Sequence, residues 1–302
     1  MIRTKAGAAA LSIASNSLLI ALKLVAGAIT GSIAILTEAV HSSIDLLASV
    51  IAFVSVRRAD QPPDAEHPYG HERIENLAAA IEGMLIIVGA GVIVFEATRR
   101  LVNGAEVEKL GLGIAVVAFS AVANVFVSSY LSRRAKALDS PALEGDAAHL
   151  RADALTSVGV IVGLALAQVT GEAAFDSIAA LVVAVAIVAS GIRILSRSSR
   201  VLVDQAPPAS ELDLIEQAIA GERAHHPEIA GYHKLRARGG TRRYIDLHLQ
   251  FKKGVSLENA HGLAHEVRGA IEAALPNSEV LIHLEPEESL RPSVREGPYR
   301  AG

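Results

Sequence analysis

The sequence predicts an all-α membrane domain of six helices over residues 1–200, followed by a small α+β domain over 208–290. Three observations carry that expectation. Six apolar stretches of spanning length come first, and apolar content falls abruptly after Ile194. The 302 residues are 51% hydrophobic, with a mean hydropathy of +0.38. Beyond VLVDQAPPA, whose two prolines break the last long helix, apolar residues recur only in short helical and alternating patterns.

A hydrocarbon core about 30 Å thick takes roughly 20 helical residues, and the stretches 7–29, 33–56, 77–98, 111–131, 147–170 and 175–195 qualify. The first follows Arg3 and Lys5, as the apolar region of a signal peptide would. It runs on through Lys23 to Gly31 without a convincing cleavage site and reads as the first span. The second holds Glu38, His41 and Asp45, the third Glu82 and Glu96, and the fifth His149 and Asp153. Ionisable groups at membrane depth cost about 2.5–3.5 kcal/mol each on insertion scales, so these helices face protein or water. The fourth, GLGIAVVAFSAVANVFVSSYL, carries no charge, and the sixth has Asp176 at its edge. Small residues throughout permit close helix packing.

Basic residues orient the spans. One set of segments holds Arg3, Lys5, Arg57, Arg58, Arg73, Arg133, Arg134, Lys136, Arg193, Arg197 and Arg200; the other holds only Arg99, Arg100 and Lys109. The rich side is expected in the cytoplasm, which puts both termini inside. The segment Ser132–Ala148, read as a loop, has no His-rich tract.

After the prolines, Leu212, Ile215 and Ile219 recur at helical spacing. GYHKLRARGG and RRYIDLHLQFKKG then read as two strands joined at Gly-Gly. In the second, Ile245, Leu247, Leu249 and Phe251 alternate with Asp246, His248 and Gln250. SLENAHGLAHEVRGAIEAAL is a helix opened by Ser256, with Asn259 in place of the capping-box acid. SEVLIHLEPEE closes as a third strand, and residues 291–302 read as a disordered tail. The order helix–strand–strand–helix–strand implies one sheet with both helices on the same face.

Chemistry concentrates in two His-x-x-x-Asp pairs, His41/Asp45 and His149/Asp153, each inside an apolar helix. Residues four apart share a helix face, so two facing pairs offer two imidazole nitrogens and two carboxylates around one point, a tetrahedral set for a divalent cation such as zinc. With no cysteine, the chain has neither disulfides nor thiolate ligands, which disfavours monovalent copper. The net charge of −4 names no partner.

These residues resemble the cation diffusion facilitator family of zinc and related divalent-metal exporters. The resemblance covers nearly the whole chain, through GSIAILTEAVHSSIDLLAS, HPYGHERIENLAA, AHLRADALTSVGV and the strands GYHKLRAR, YIDLHL and VLIHLEP. It implies six membrane helices, a cytoplasmic ferredoxin-like domain, a homodimer in the cell (inner or plasma) membrane, and exchange of cytoplasmic metal for external protons. It implies that His41, Asp45, His149 and Asp153 form the transport site, of zinc-preferring composition. Asp64, His67 and His71, in a loop too rich in Pro and Gly for a helix, match a second site at the membrane–cytoplasm junction. His233, His248, His261, His283 and Glu285 match a cytoplasmic centre that ligands from two protomers complete, with Glu285 in place of the Asp of some members. His265 reads as a surface residue, and His225 and His226 carry no assigned role.

Zinc is thus the expected transported and regulatory ion, with cadmium, cobalt, iron or manganese as alternatives. The expected partners are a second copy of the chain, protons and the lipid bilayer, with no nucleic acid. Two other readings stay open. A membrane-embedded zinc hydrolase would need an open metal position and a general base, and no G-x-S-x-G nucleophile motif appears. A non-transporting metal-binding regulatory or scaffold subunit is the other; the chain keeps all four transport-site ligands.

Overall fold

The computed structural model describes residues 4–30, 33–103, 112–172 and 174–287. Arg3, Lys109 and the expected tail lie outside them. The chain divides into two compact units, Met1–Leu202 and Val203–Gly302.

The first unit is built of α1 (Lys5–Thr30), α2 (Ile33–Ala59), α3 (Arg73–Asn103), α4 (Leu112–Leu138), α5 (Pro141–Thr170) and α6 (Ala174–Leu202). Among the described residues, five helices are long and apolar enough to cross a membrane; α2, at 27 residues, has the length. Several helices outrun their apolar stretches. The segment read as a loop, Ser132–Ala148, is helical apart from Asp139 and Ser140. Ser140 is the N-cap of α5, its Oγ accepting from the Leu143 amide at 3.4 Å, and Pro141 follows at the first helical position. A hydroxyl cap and a proline at that position start a helix wherever apolarity begins. Asp139 makes the turn itself, at φ 46°.

Small residues set the helix spacing. A Cβ on Gly83 of α3 would come within 2.9 Å of the Leu195 amide of α6, and one on Gly191 within 3.0 Å of the Gly83 carbonyl. These backbones touch directly, which only glycine allows. Ala8, Ala9, Val56, Leu131, Ala135, Ala142, Leu143, Ala147 and Leu150 form one buried cluster. Phe95, Phe126, Val169 and Val185 point outward, as side chains against lipid do.

The second unit runs α7 (Ala209–His225), β1 (Ile229–Arg238), β2 (Arg243–Phe251), α8 (Leu257–Ala274) and β3 (Ser278–Pro286). The sheet order is β1-β2-β3. β1 pairs antiparallel with β2, and β3 parallel with β2, the α8 crossover supplying the chain length a parallel pair needs. Ser256 caps α8, its Oγ accepting from the Asn259 amide at 3.2 Å. One core joins Ile215 and Ile219 of α7, Val267 and Ile271 of α8, and Ile245, Leu247, Leu249, Phe251 and Val280 of the sheet, so both helices cover the same face. Each such side chain contributes about 1.5–3 kcal/mol on burial.

A two-pronged ion pair locks the start of α7 to the start of β2: Arg243 donates from Nε to Glu211 Oε2 at 2.7 Å and from Nη2 to Oε1 at 2.8 Å. Those hydrogen bonds hold the Glu211 carboxyl below its ordinary range. The unfolded chain therefore binds more protons there than the folded one. The stabilisation is complete above the ordinary glutamate value and is lost as pH falls through the lowered one. Glu211→Gln should destabilise this unit by about 1 kcal/mol at neutral pH, read as faster hydrogen exchange of α7 and β2 amides in the full chain. The difference from wild type should vanish in acid.

Candidate metal centres

The deepest cluster joins α2 to α5. Asp45 contributes from α2, and His149 and Asp153 from α5, with one ligand atom of each within 4.8 Å of the others. Asp45 Oδ1 stands 3.1 Å from His149 Nε2, and both residues are buried. Helical spacing explains the α5 pair, since positions 149 and 153 are one turn apart on a single face. His41 lies one turn before Asp45 in α2; its side chain is outside the described ones. The contact fits a proton or a cation between imidazole and carboxylate. Metal binding needs both ligands deprotonated, so the two compete for this space.

A hydrogen-bonded network beneath this cluster was not read from the sequence. Asn16 of α1 donates to the Asp45 carbonyl at 3.4 Å and to Ser49 Oγ at 2.9 Å. Ser12 and Ser49 lie 2.9 Å apart, and their hydroxyls reach Asp146 Oδ1 at 3.1 and 2.9 Å. α1 thereby ties α2 to α5. The signal was present as polar positions one turn apart within apolar stretches: Ser12 and Asn16, Asp45 and Ser49, Asp146 and His149. Lys23 donates to Ser42 at 2.6 Å.

The loop between α2 and α3 gathers Asp64, His67 and His71. Asp64 Oδ1 accepts the amides of Glu66 at 3.0 Å and His67 at 2.7 Å, and the His67 carbonyl accepts from Gly70, which turns at φ 85°. The His67 amide is the main reason the Asp64 carboxyl sits below its ordinary range. His67 Nδ1 and His71 Nε2 approach Asp64 at 3.3 and 3.2 Å. His71 is only 2% exposed, yet neither ring nitrogen has an aligned hydrogen-bond partner. A buried imidazole left in that condition is suited to a metal. Glu66, another acid of the loop, stands outside the group.

In the second unit, strand register aligns three imidazoles. His233 of β1 pairs with His248 of β2, which pairs with His283 of β3, all on the face opposite the helices. A register shift follows His233, with Lys234 at φ 51°, the kind of bulge that re-aims a side chain. Glu285, two residues beyond His283 and on the same face, accepts from His233 Nε2 at 2.7 Å and His248 Nδ1 at 2.5 Å. His233, His248 and Glu285 form the group within ligand distance. His283 stands beside it, with Nε2 3.7 Å from Glu285 and a ring 4.7 Å from that of His248. His261 is not gathered in this chain; on exposed α8 it meets His265, Nε2 to Nε2, at 3.2 Å. His226, which had no assigned role, joins Glu222 and Glu266 in a half-exposed group, 2.7 Å from Glu266.

Residues 9–203 match the family model described as the cation efflux transmembrane domain, and residues 207–287 match that of the cation efflux protein cytoplasmic domain. An uncharacterized transporter of Synechocystis is 34% identical over 93% of this chain and 90% of its own. The cation-efflux pump FieF of Serratia proteamaculans is 32% identical over 96% of this chain and 95% of its own. That of Klebsiella pneumoniae is 31% identical over 97% and 96%. A solved structure titled for a putative zinc transporter, CzrB, in its zinc form is 27% identical, covering 29% of this chain and 98% of that one at a TM-score of 0.27. The matched family is one of cation transporters, not enzymes, and its members cross the membrane several times.

The sheet cluster is directly testable. Glu285→Gln keeps the shape but removes the charge between His233 and His248, and should weaken zinc binding there by at least about tenfold, followed on the imidazole NMR signals of those residues in the full chain. Unchanged affinity would make the cluster a hydrogen-bonded ion pair and nothing more.

Proposed function

We propose that this chain, which belongs to the cation efflux family, exports a divalent metal ion, zinc foremost, from the cytoplasm in exchange for protons. The single observation that carries this reading is the convergence of Asp45, His149 and Asp153 from two helices of the membrane unit. Together with His41 they form the transport site. Ionisable side chains at such depth mark an ion path, and two imidazoles with two carboxylates neutralise a divalent cation while holding it exchangeably.

The donor set supports zinc: nitrogen and oxygen in tetrahedral number, with no thiolate. Cadmium, cobalt, iron and manganese share enough of that chemistry to be secondary cargo. The site loads from the near-neutral cytoplasm and then faces outward. Protons arriving there displace the metal from imidazole and carboxylate and reset the carrier. The excess of Arg and Lys on one side supports placing both termini in the cytoplasm of a cell-membrane protein.

Asp64, His67 and His71 form an exchangeable junction site, with three ligands and an open position. His233, His248, His283 and Glu285 form a cytoplasmic centre that senses metal by stabilising a homodimer, with His261 available to a second copy. Reconstituted in liposomes under a pH gradient, the protein should take up zinc; Asp45→Ala and Asp153→Ala should each abolish that uptake while leaving the helical content intact. Uptake at the wild-type rate in either variant would reject the transport site. Replacing His248 and His283 together should weaken zinc-dependent dimerisation of the full chain in detergent, measured by sedimentation.

A further inference from the structure

The buried acids outside the transport site hold the clearest unused chemistry. Glu82 of α3 is fully buried, and neither of its carboxyl oxygens has a hydrogen-bond partner. Its Oε2 rests against Gly145, where a Cβ would collide with it, so the glycine clears the space the carboxyl occupies. The next residue, Asp146, is also fully buried. His149 stands one turn from Asp146 on α5 and pairs with Asp45 of α2 at 3.1 Å; Glu75 of α3 pairs with Lys5 at 2.7 Å, and Glu144 of α5 with Arg197 of α6 at 2.6 Å. From α6, Gly191 and Leu195 lie nearest to the neighbouring Gly83.

The geometry points to Glu82 and Asp146 as a proton-holding carboxyl pair, separate from the metal ligands. Two carboxylates in a dry interior cannot both stay ionised beside one another. An ionised Glu82 without a partner would carry the full cost of a buried charge. The hydroxyls of Ser12 and Ser49 both donate to Asp146 Oδ1, at 3.1 and 2.9 Å, whereas Glu82 receives no such donor, so of the two acids Glu82 is the one placed to hold the proton. Asp146 lies one turn from His149 on α5, so a proton passing between the acids changes the charge beside the transport site without occupying a ligand. This role in coupling rests on the antiport reading; the protonation itself does not.

The test uses the full chain in liposomes and Glu82→Gln, which keeps the shape and removes the titrating group. Zinc flux and proton flux are measured across a series of pH gradients, and infrared spectra of wild type and variant are subtracted. The expected result is continued zinc flux with about one proton fewer per metal ion, a pH profile displaced from that of the wild type, and loss of a protonated-carboxyl carbonyl band. An unchanged proton-to-zinc ratio together with an unchanged spectrum would overturn the proposal. If wild type shows no pH-driven flux, the antiport reading falls, and the infrared difference still decides whether Glu82 holds a proton. If the variant does not transport at all, that same difference decides.

Discussion

A polar side chain at membrane depth has no water to fall back on, and that constraint organises the first unit. Hydroxyls can turn back to a carbonyl of their own helix, as Ser43 and Thr156 do, but most of the ionisable groups take a partner from another helix. Asp45 meets His149, Asp146 takes Ser12 and Ser49, and Lys23 takes Ser42. The partners therefore decide which helices touch. α1 contributes no proposed metal ligand, yet through Ser12 and Asn16 it fixes the distance between the two helices that do. Removing the polar residues would leave the glycine contacts to hold α3 on α6, but nothing to tie α1 to α2 and α5 at the metal site.

Much of this was legible in the sequence because two signals reinforce one another. Long apolar runs announced the helices, and His and Asp four residues apart inside such runs announced the cluster of Asp45, His149 and Asp153. The alternation of Ile245, Leu247, Leu249 and Phe251 announced β2 and set His248 on the opposite face. The start of α5 was hidden, because PALEGD looks polar and turn-prone. Ser140 and Pro141 are its real signature, and a cap is a local signal that hydropathy does not weigh. The Asn16 network escaped notice for a related reason: single Ser and Asn residues are common in membrane helices, and their value depends on what a neighbouring helix presents.

In the second unit the candidate site depends on pairing rather than on any single residue. His233, His248 and His283 are separated by many residues in sequence and become a row only because β1 and β3 flank β2 in that register. A slip of one position would turn an imidazole toward the core. His261 shows the converse. The resemblance to the family's cytoplasmic centre made it a candidate, but α8 carries it away from the ligand face, and its neighbour there is His265 of the same helix.

The glycine contact between α3 and α6 has a mechanical consequence. With backbone pressed on backbone at Gly83 and Gly191, neither helix can slide past the other without first lifting away, so the two travel as a single body. Glu82 precedes Gly83 and is carried on that body. A Cβ on Gly163 of α5 would come within 2.8 Å of Asp176 Cα of α6, and one on Gly145 of α5 within 3.3 Å of Ala79 Cα of α3, so α5 is seated against the same pair and the Glu82 carboxyl is walled in by backbone.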